Sequence, residues 1–284
     1  MGTERHGGVL RAARRAGAGT RRDEIDVRRA AFDAVGRAQP AARPRRLPGL
    51  GDTGPVTTQQ GGDRLAEAVS ERTRVRRHSE RGVYERSSIE RIIDEALICH
   101  VGFVHDGQPF VLPTTHGRLG DTVYLHGAVA STMLRNLSRG LPVCVTFTLV
   151  DGIVLARSVY NHSMNYRSAV VVGTAVDVRD PDEKLRALHA ITEHVMPGRW
   201  GDARVPNDVE LKATRVLRLS LVEASAKVRG GDPSDDPEDM TLPVWAGVVP
   251  TAVRFGQPVP APEMAPGAPV PPYVDARVAA ANQG

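Results

Sequence analysis

The chain has 284 residues, 41% hydrophobic and 4% aromatic, enough apolar material for one large domain or two small ones around a sizeable core. Its formal charge of +4 is unevenly placed: residues 1–60 hold 12 Arg against 6 Asp or Glu, so the other 224 residues sum to −2. The basic character therefore belongs to the leading segment, which argues against a nucleic-acid-binding face on folded structure, and no apolar run approaches the roughly 20 residues needed to span a bilayer.

Residues 1–60 are rich in Arg, Ala and Gly and end in Pro40, Pro44, Pro48 and Pro55, a composition that cannot bury enough surface to offset ordering entropy. A disordered basic tail is expected, with a short helix around Glu24–Gly36 as its one periodic stretch. From Val75 the pattern changes. Ser87-Ser88-Ile89-Glu90 reads as a capping box ahead of Ile89, Ile92, Ile93 and Leu97 at helical spacing. Strands are expected over Leu97–Val104, Pro109–Arg118 and Thr122–Gly127, separated by turns at Asp106-Gly107 and Gly120-Asp121.

A helix over Ser131–Arg139 precedes strands at Val143–Val150 and Ile153–Arg157, then a β-branched run at Ser168–Val178. Pro181 opens a helix carrying Leu185, Leu188, Ile191 and Val195, and Thr214–Arg229 alternates as one long strand. About six antiparallel strands with helices only at the crossings suggest a closed barrel occupying residues 75–255. After the acidic loop Asp232–Asp239 a docking segment is expected at Leu242–Val249, and residues 256–284 read as a Pro- and Ala-rich tail.

Cys99 and Cys144 stand far apart in apolar runs without a CxxC, so both are expected as free thiols. The N-terminus also lacks the apolar core of a secretory signal, and together these point to the cytoplasm. His100, His105, His116 and His126 fall in neighbouring strands, yet no HExxH or finger spacing accompanies them. Ser163 beside His162 has no G-x-S-x-G elbow, and Gly117-Arg118-Leu119-Gly120 precedes a strand where a dinucleotide loop must follow one. Metal, hydrolase and Rossmann chemistry are therefore unsupported.

The stretch from Pro113 to Leu134 reads as strand, turn, strand and a small-residue loop opening a helix at Ser131, where amides and a hydroxyl converge and an anion can sit. The bland reading is a hairpin with a helix N-cap. Taken with Asn165-Tyr166-Arg167-Ser168, this stretch resembles the FMN-binding split-barrel family of pyridoxamine 5'-phosphate oxidase and its nitroimidazole-reductase-like relatives, over residues 75–255. The resemblance implies a mainly β, α+β fold: an antiparallel, Greek-key-like split barrel with peripheral helices. It also implies a homodimer with shared FMN sites that acts as an oxidoreductase on a small molecule.

Carried over residue by residue, the resemblance puts Leu112, Pro113 and Thr114 along the flavin edge, His126 and Gly127 beneath the ribityl chain, and Ser131 and Thr132 at the phosphate. Tyr166, Arg167, Ser168, Lys227 and Trp245 complete the cofactor contacts, and His126 is the candidate catalytic residue, able to hydrogen-bond substrate or donate a proton. Three of these have bland alternatives: His126 as a strand histidine satisfied by a carbonyl, Arg167 as one half of an ion pair, and Trp245 as a core anchor. In the family the loop carries a cation beside the serine, where this chain has Thr132 and Met133. Arg135 is the first substitute, and Arg139 and Arg167 are the others. Two alternatives on the same barrel stay open, namely a flavin- or haem-binding protein without turnover and a deazaflavin-dependent reductase.

Overall fold

The computed structural model describes residues 67–265 and 267–282. The expected tail of residues 1–60, with its Glu24–Gly36 helix, lies outside the described residues. After a 3-10 turn at Ser79–Arg81 the chain forms a two-residue strand, β1 (Gly82–Val83), and helix α1 (Arg86–Glu95). Helix α1 buries Ile89, Ile92 and Ile93, the stripe its periodicity foretold. The capping box at Ser87 does not form. The N-cap is Glu85, whose carbonyl accepts the amides of Ser88 and Ile89. Arg86 joins the first turn because its guanidinium donates to the Leu221 carbonyl at 2.8 Å, so both serines sit inside the helix.

Strands β2 (Cys99–His105) and β3 (Gln108–Thr114) form a hairpin whose two-residue turn, Asp106-Gly107, takes positive φ at both positions, matching the right-handed twist of the strands. The expected strand Pro109–Arg118 is in fact two. At Thr115 the chain leaves the sheet containing β3 and enters a second sheet as β4 (His116–Leu119), followed by β5 (Thr122–Ala128). Helix α2 (Thr132–Leu137) leads to β6 (Pro142–Leu155), a 14-residue strand bent by a bulge between Val150 and Gly152. Then follow β7 (Ser163–Thr174), β8 (Val176–Asp177) and helix α3 (Pro181–Val195), capped by Asp180.

Two short helices, α4 (Arg199–Asp202) and α5 (Asp208–Ala213), come next, and α5 carries a true capping box between Asn207 and Glu210 that the sequence reading missed. The expected strand Thr214–Arg229 is again two, β9 (Thr214–Ser220) and β10 (Ala224–Arg229), in different sheets. The docking segment ends in β11 (Gly247–Pro250), which pairs with the half of β6 beyond the bulge. Within the expected C-terminal tail, Pro272–Asn282 is helical (α6): Asn282 exchanges hydrogen bonds with the backbone of Phe255, and Tyr273 donates to Asp202 at 2.7 Å.

Every pairing is antiparallel. One sheet runs β1-β10-β7-β6-β2-β3 with β11 beside β6, and the other runs β4-β5-β9-β8. The barrel is therefore split into two sheets and is not closed. The main core lies between them: Val101, Val145, Phe147 and Val171 face Val123, Leu125, Leu217 and Leu219, with α1 and the Leu134 and Leu137 side chains of α2 filling the ends. A second core joins the outer face of the smaller sheet to α3 through Tyr124, Val216, Leu188 and Ile191. This layer is tight at Gly117, where an added Cβ would stand 2.6 Å from the Ile191 amide nitrogen, so α3 lies directly on the β4 backbone. Among the described residues no helix is long and apolar enough to cross a membrane.

Candidate functional site

The candidate residues fall into three groups. The first sits where β5 runs into α2. Strand alternation puts His126 on the face of Tyr124, toward the α3 layer, and Gly127 on the opposite face, where an added Cβ would be 3.0 Å from Leu134 Cδ1. Ser131 is the N-cap of α2, but its Oγ accepts from the Leu134 amide at a long 3.4 Å. The Arg135 amide bonds the Ser131 carbonyl, which leaves the Thr132 and Met133 amides without an acceptor inside the helix, as in any first turn. Met133 is buried in the main core, so a cation could not stand there without losing its hydration. Arg135 is on the exposed side instead, and its guanidinium turns back to the Thr132 hydroxyl at 3.3 Å.

His126 is half-buried and its Nδ1 is buried with no hydrogen-bond partner. Burial also pushes its pKa below the usual imidazole value, which keeps the ring neutral at pH 7. A carbonyl-satisfied strand histidine would look different at that nitrogen.

The second group lies on β7 and β10. Ser168 Oγ donates to the Lys227 carbonyl at 3.2 Å, Lys227 Nζ donates to the Arg77 carbonyl at 3.0 Å, and Tyr166 is half-buried two residues from Ser168 on the same face. Arg167 points to the other face and is fully engaged. Its Nε and Nη2 bond Asp151 at 3.0 and 2.8 Å, and its Nη1 and Nη2 bond Glu95. The two carboxylates, Glu95 first, hold its pKa above the ordinary arginine value. The ion-pair alternative is the one realised, and four of the five N–H donors of Arg167 are committed to Asp151 and Glu95, which argues against it as the substitute phosphate cation.

The third group is at the margin of the larger sheet. Leu112, Pro113 and Thr114 are on β3, an edge strand exposed along most of its length. Trp245 is 65% exposed with its indole lying against Gly247, so it is not a core anchor. β3, with Leu112, Pro113 and Thr114, is separated from β7, with Tyr166 and Ser168, by β2 and β6, three strand spacings or roughly 14 Å.

Two histidine arrangements escaped the sequence reading. His116 and His194 pack with ring centroids 4.3 Å apart and planes inclined by 48°, their Nε2 atoms bonding the Ile93 and Ala96 carbonyls at 2.9 and 2.8 Å. The loop between β6 and β7 presents His162 at its end, with Nδ1 2.9 Å from the Ser158 carbonyl. That loop is anchored by the acidic segment: Asp235 accepts from the Arg157 amide and guanidinium at 2.6 and 2.7 Å, and Asp236 accepts from the Asn161 side chain at 3.2 Å. The acidic loop thus has a structural task that its charge alone did not disclose.

A family profile described as pyridoxamine 5'-phosphate oxidase matches residues 85–228, from the N-cap of α1 into β10. No curated protein matches the sequence. Among solved structures, the flavocytochrome Anf3 from Azotobacter vinelandii is 38% identical, with 74% of this chain and 98% of that one covered and a TM-score of 0.71. The FAD- and haem-binding protein from Mycobacterium smegmatis is 36% identical, with 70% and 97% covered and a TM-score of 0.67.

Proposed function

Because the chain belongs to the pyridoxamine 5'-phosphate oxidase family of split barrels, we propose that it is a flavin-dependent oxidoreductase of a small molecule that carries haem as a second redox group. The observation that carries this reading is the match to a flavocytochrome and to an FAD- and haem-binding protein over 98% and 97% of their lengths. The fold those two proteins use is present here end to end.

The residues present fit a flavin. The buried Nδ1 of His126 lacks a partner, and an exposed indole at Trp245 offers the apolar face such a ring needs. Ser131, Thr132 and the free first-turn amides, with Arg135, would hold the phosphate end, while neutral His126 would hydrogen-bond the flavin or the substrate. When bound, the flavin supplies the electron-transfer chemistry and the protein supplies position and exclusion of water.

FAD is the flavin favoured over FMN. The FAD-binding relative supports the same choice.

A homodimer completes the site. Val104 and Val111 stand exposed at diagonal positions of β2 and β3, and the β3 edge is unpaired among the described residues, an apolar strand surface of the kind that seeks a partner. A second copy covering it would bring the β3 group of one protomer toward the β5 and β7 groups of the other. Free Cys99, whose thiol burial pushes up to about 12, and free Cys144 suit the reducing cytoplasm.

The test is the visible spectrum of the purified full-length protein, with mass spectrometry of what is released on denaturation and bleaching by a nicotinamide donor. Flavin bands with a Soret band, released FAD, and flavin reduction followed by reoxidation are expected. Colourless protein that takes up neither added flavin nor hemin overturns the reading.

A further inference from the structure

We propose that Arg229, with Lys227 and Tyr166 beside it, forms a phosphate-binding site for a small molecule; this rests on the proposed flavin chemistry only for the identity of what carries the phosphate. Arg229 is 9% exposed and is the one buried Arg, Lys, Asp or Glu among the described residues. Its guanidinium donates to Asn165 Oδ1 and, at a long 3.5 Å, to the Asp232 carbonyl, both neutral acceptors. No carboxylate of the described residues pairs with it. A cation taken out of water without a counter-charge is costly to a fold, so this side chain needs an anion to complete it.

Other arginines are treated differently. Arg118, Arg157, Arg167 and Arg215 keep 19–33% of their side chains in solvent, and each pairs with a carboxylate. The chain thus neutralises these more accessible cations and leaves the deepest one charged. Arg229 is also held in place. Asn165 Nδ2 donates to the Gly231 carbonyl at 3.0 Å, which turns Oδ1 toward the guanidinium. Two of the five N–H donors are used in this way, and three remain for an oxyanion, whose oxygens suit the planar fork.

Strand register adds to the same row. Lys227 precedes Arg229 by two residues on β10, and the residues opposite them on β7 are Ser168 and Tyr166. Lys227 Nζ donates to the Arg77 carbonyl at 3.0 Å and is likewise paired with no carboxylate of the described residues. Beyond Arg229 the chain continues as Gly230 and Gly231, both exposed, where an added Cβ would meet nothing within 4 Å, so this end of the strand is open to a ligand. Two cations and a phenol on one sheet face match a phosphate group, which brings negative charge and several acceptor oxygens at once. The carrier of that phosphate is either a flavin dinucleotide, through its second phosphate, or a phosphorylated substrate.

The experiment titrates FAD, FMN and inorganic phosphate into the full-length flavin-free protein, and phosphate into the FAD-loaded protein, at constant ionic strength for the wild type, Arg229→Gln, Arg229→Lys and Lys227→Gln. Arg229→Gln is expected to lose phosphate affinity by roughly tenfold or more, with smaller losses in the other two variants. If the dinucleotide carries the phosphate, Arg229→Gln weakens FAD by a similar factor and leaves FMN alone, and the FAD-loaded wild type takes up no phosphate. If a substrate carries it, both flavins keep their affinity and the FAD-loaded wild type binds phosphate. Should Arg229→Gln fail to fold, phosphate is still expected to raise the urea midpoint of the wild type saturably, and Lys227→Gln to lose that rise; a wild type without the rise overturns the site. Phosphate and FAD affinities unchanged in Arg229→Gln overturn the site and leave the proposed function standing. Arg229-dependent phosphate binding in a protein that takes no flavin keeps the site and overturns the function.

Discussion

His116 and His162 each give one ring nitrogen to a backbone carbonyl at 2.9 Å, yet the two settings do opposite things. His116 is fully buried on β4, edge-on to Phe147 and packed at a tilt against His194. The carbonyls that this pair engages, Ile93 and Ala96, are at the C-terminal end of α1, where a helix leaves its acceptors unpaired. The pair therefore ties α1 to β4 and α3 and closes the structure. His162 makes the same bond on an exposed loop, whereas the second nitrogen of His116, Nδ1, is buried without a partner. A hydrogen bond to a carbonyl is thus no sign of function by itself; what the other nitrogen meets decides.

The contrast breaks if stability does not follow it. Replacing His116 with alanine removes the capping bond and the contacts with Phe147 and His194 from a site with no solvent, and is expected to cost about 2–4 kcal/mol by urea unfolding. His162→Ala should stay within about 0.5 kcal/mol of wild type. Equal losses at the two positions would show that the His162 loop is as structural as the buried pair.

A pH series sharpens the same point. Burial, the larger cause, and the neighbouring His194 push the His116 pKa down to about 4, against the lifting effect of the Ile93 carbonyl and Asp94. The unfolded chain, titrating near the ordinary value of 6.5, then binds the proton more readily than the folded one. The stability His116 contributes is full above about 6.5 and is lost as pH falls toward 4, by up to about 3 kcal/mol. His116→Gln keeps a donor for the Ile93 carbonyl and cannot titrate. Its unfolding free energy should lose this part of the acid slope, and a slope identical to wild type would remove His116 as its source.

The periodic elements were legible in the sequence, and the places where the chain changes sheets were not. Helices α1 and α3 and the turns at Asp106-Gly107 and Gly120-Asp121 came from apolar spacing and turn residues. The switch at Thr115 has no turn residue to mark it. The switch at Leu221–Glu223 has no Gly or Pro either, and its backbone is paired on both sides: the Leu221 amide bonds the Asp121 carbonyl and the Glu223 carbonyl accepts from the Val172 amide. The apolar positions change parity there, from Leu217, Leu219 and Leu221 to Val222, Ala224, Ala226 and Val228, a phase shift that the one-strand reading passed over. The same holds for the site. Gly127 and Ser131 announce themselves as small residues before a helix, whereas the setting of Arg229 depends on Asn165, 64 residues earlier.

Arginines repeat the lesson of the histidines. Arg167 gives four of its five N–H donors to Asp151 and Glu95, and Arg135 holds only the Thr132 hydroxyl. Arg135→Ala should weaken flavin binding by about 1.5–3 kcal/mol, the range of a hydrogen bond to a charged group, with unfolding unchanged. Arg167→Ala should leave flavin affinity alone and cost about 1 kcal/mol of stability, since its partly exposed ion pairs are screened by solvent. Exchange of the two outcomes, read by flavin titration and urea unfolding, would put the phosphate at Arg167.

Trp245 carries the smallest expected change in stability. Its indole is largely in solvent and rests on Gly247 at the start of β11, outside both cores, so Trp245→Ala should shift unfolding by no more than about 0.5 kcal/mol. A large aromatic ring left open on a strand that is itself paired to β6 has a different use from one that packs. If it faces flavin or the second protomer, the variant keeps its melting curve but releases flavin faster on dilution, or dissociates at lower concentration by analytical ultracentrifugation. Full retention of both, with stability intact, would show that this open side chain has no counterpart in the assembled site and that exposure alone does not mark function here.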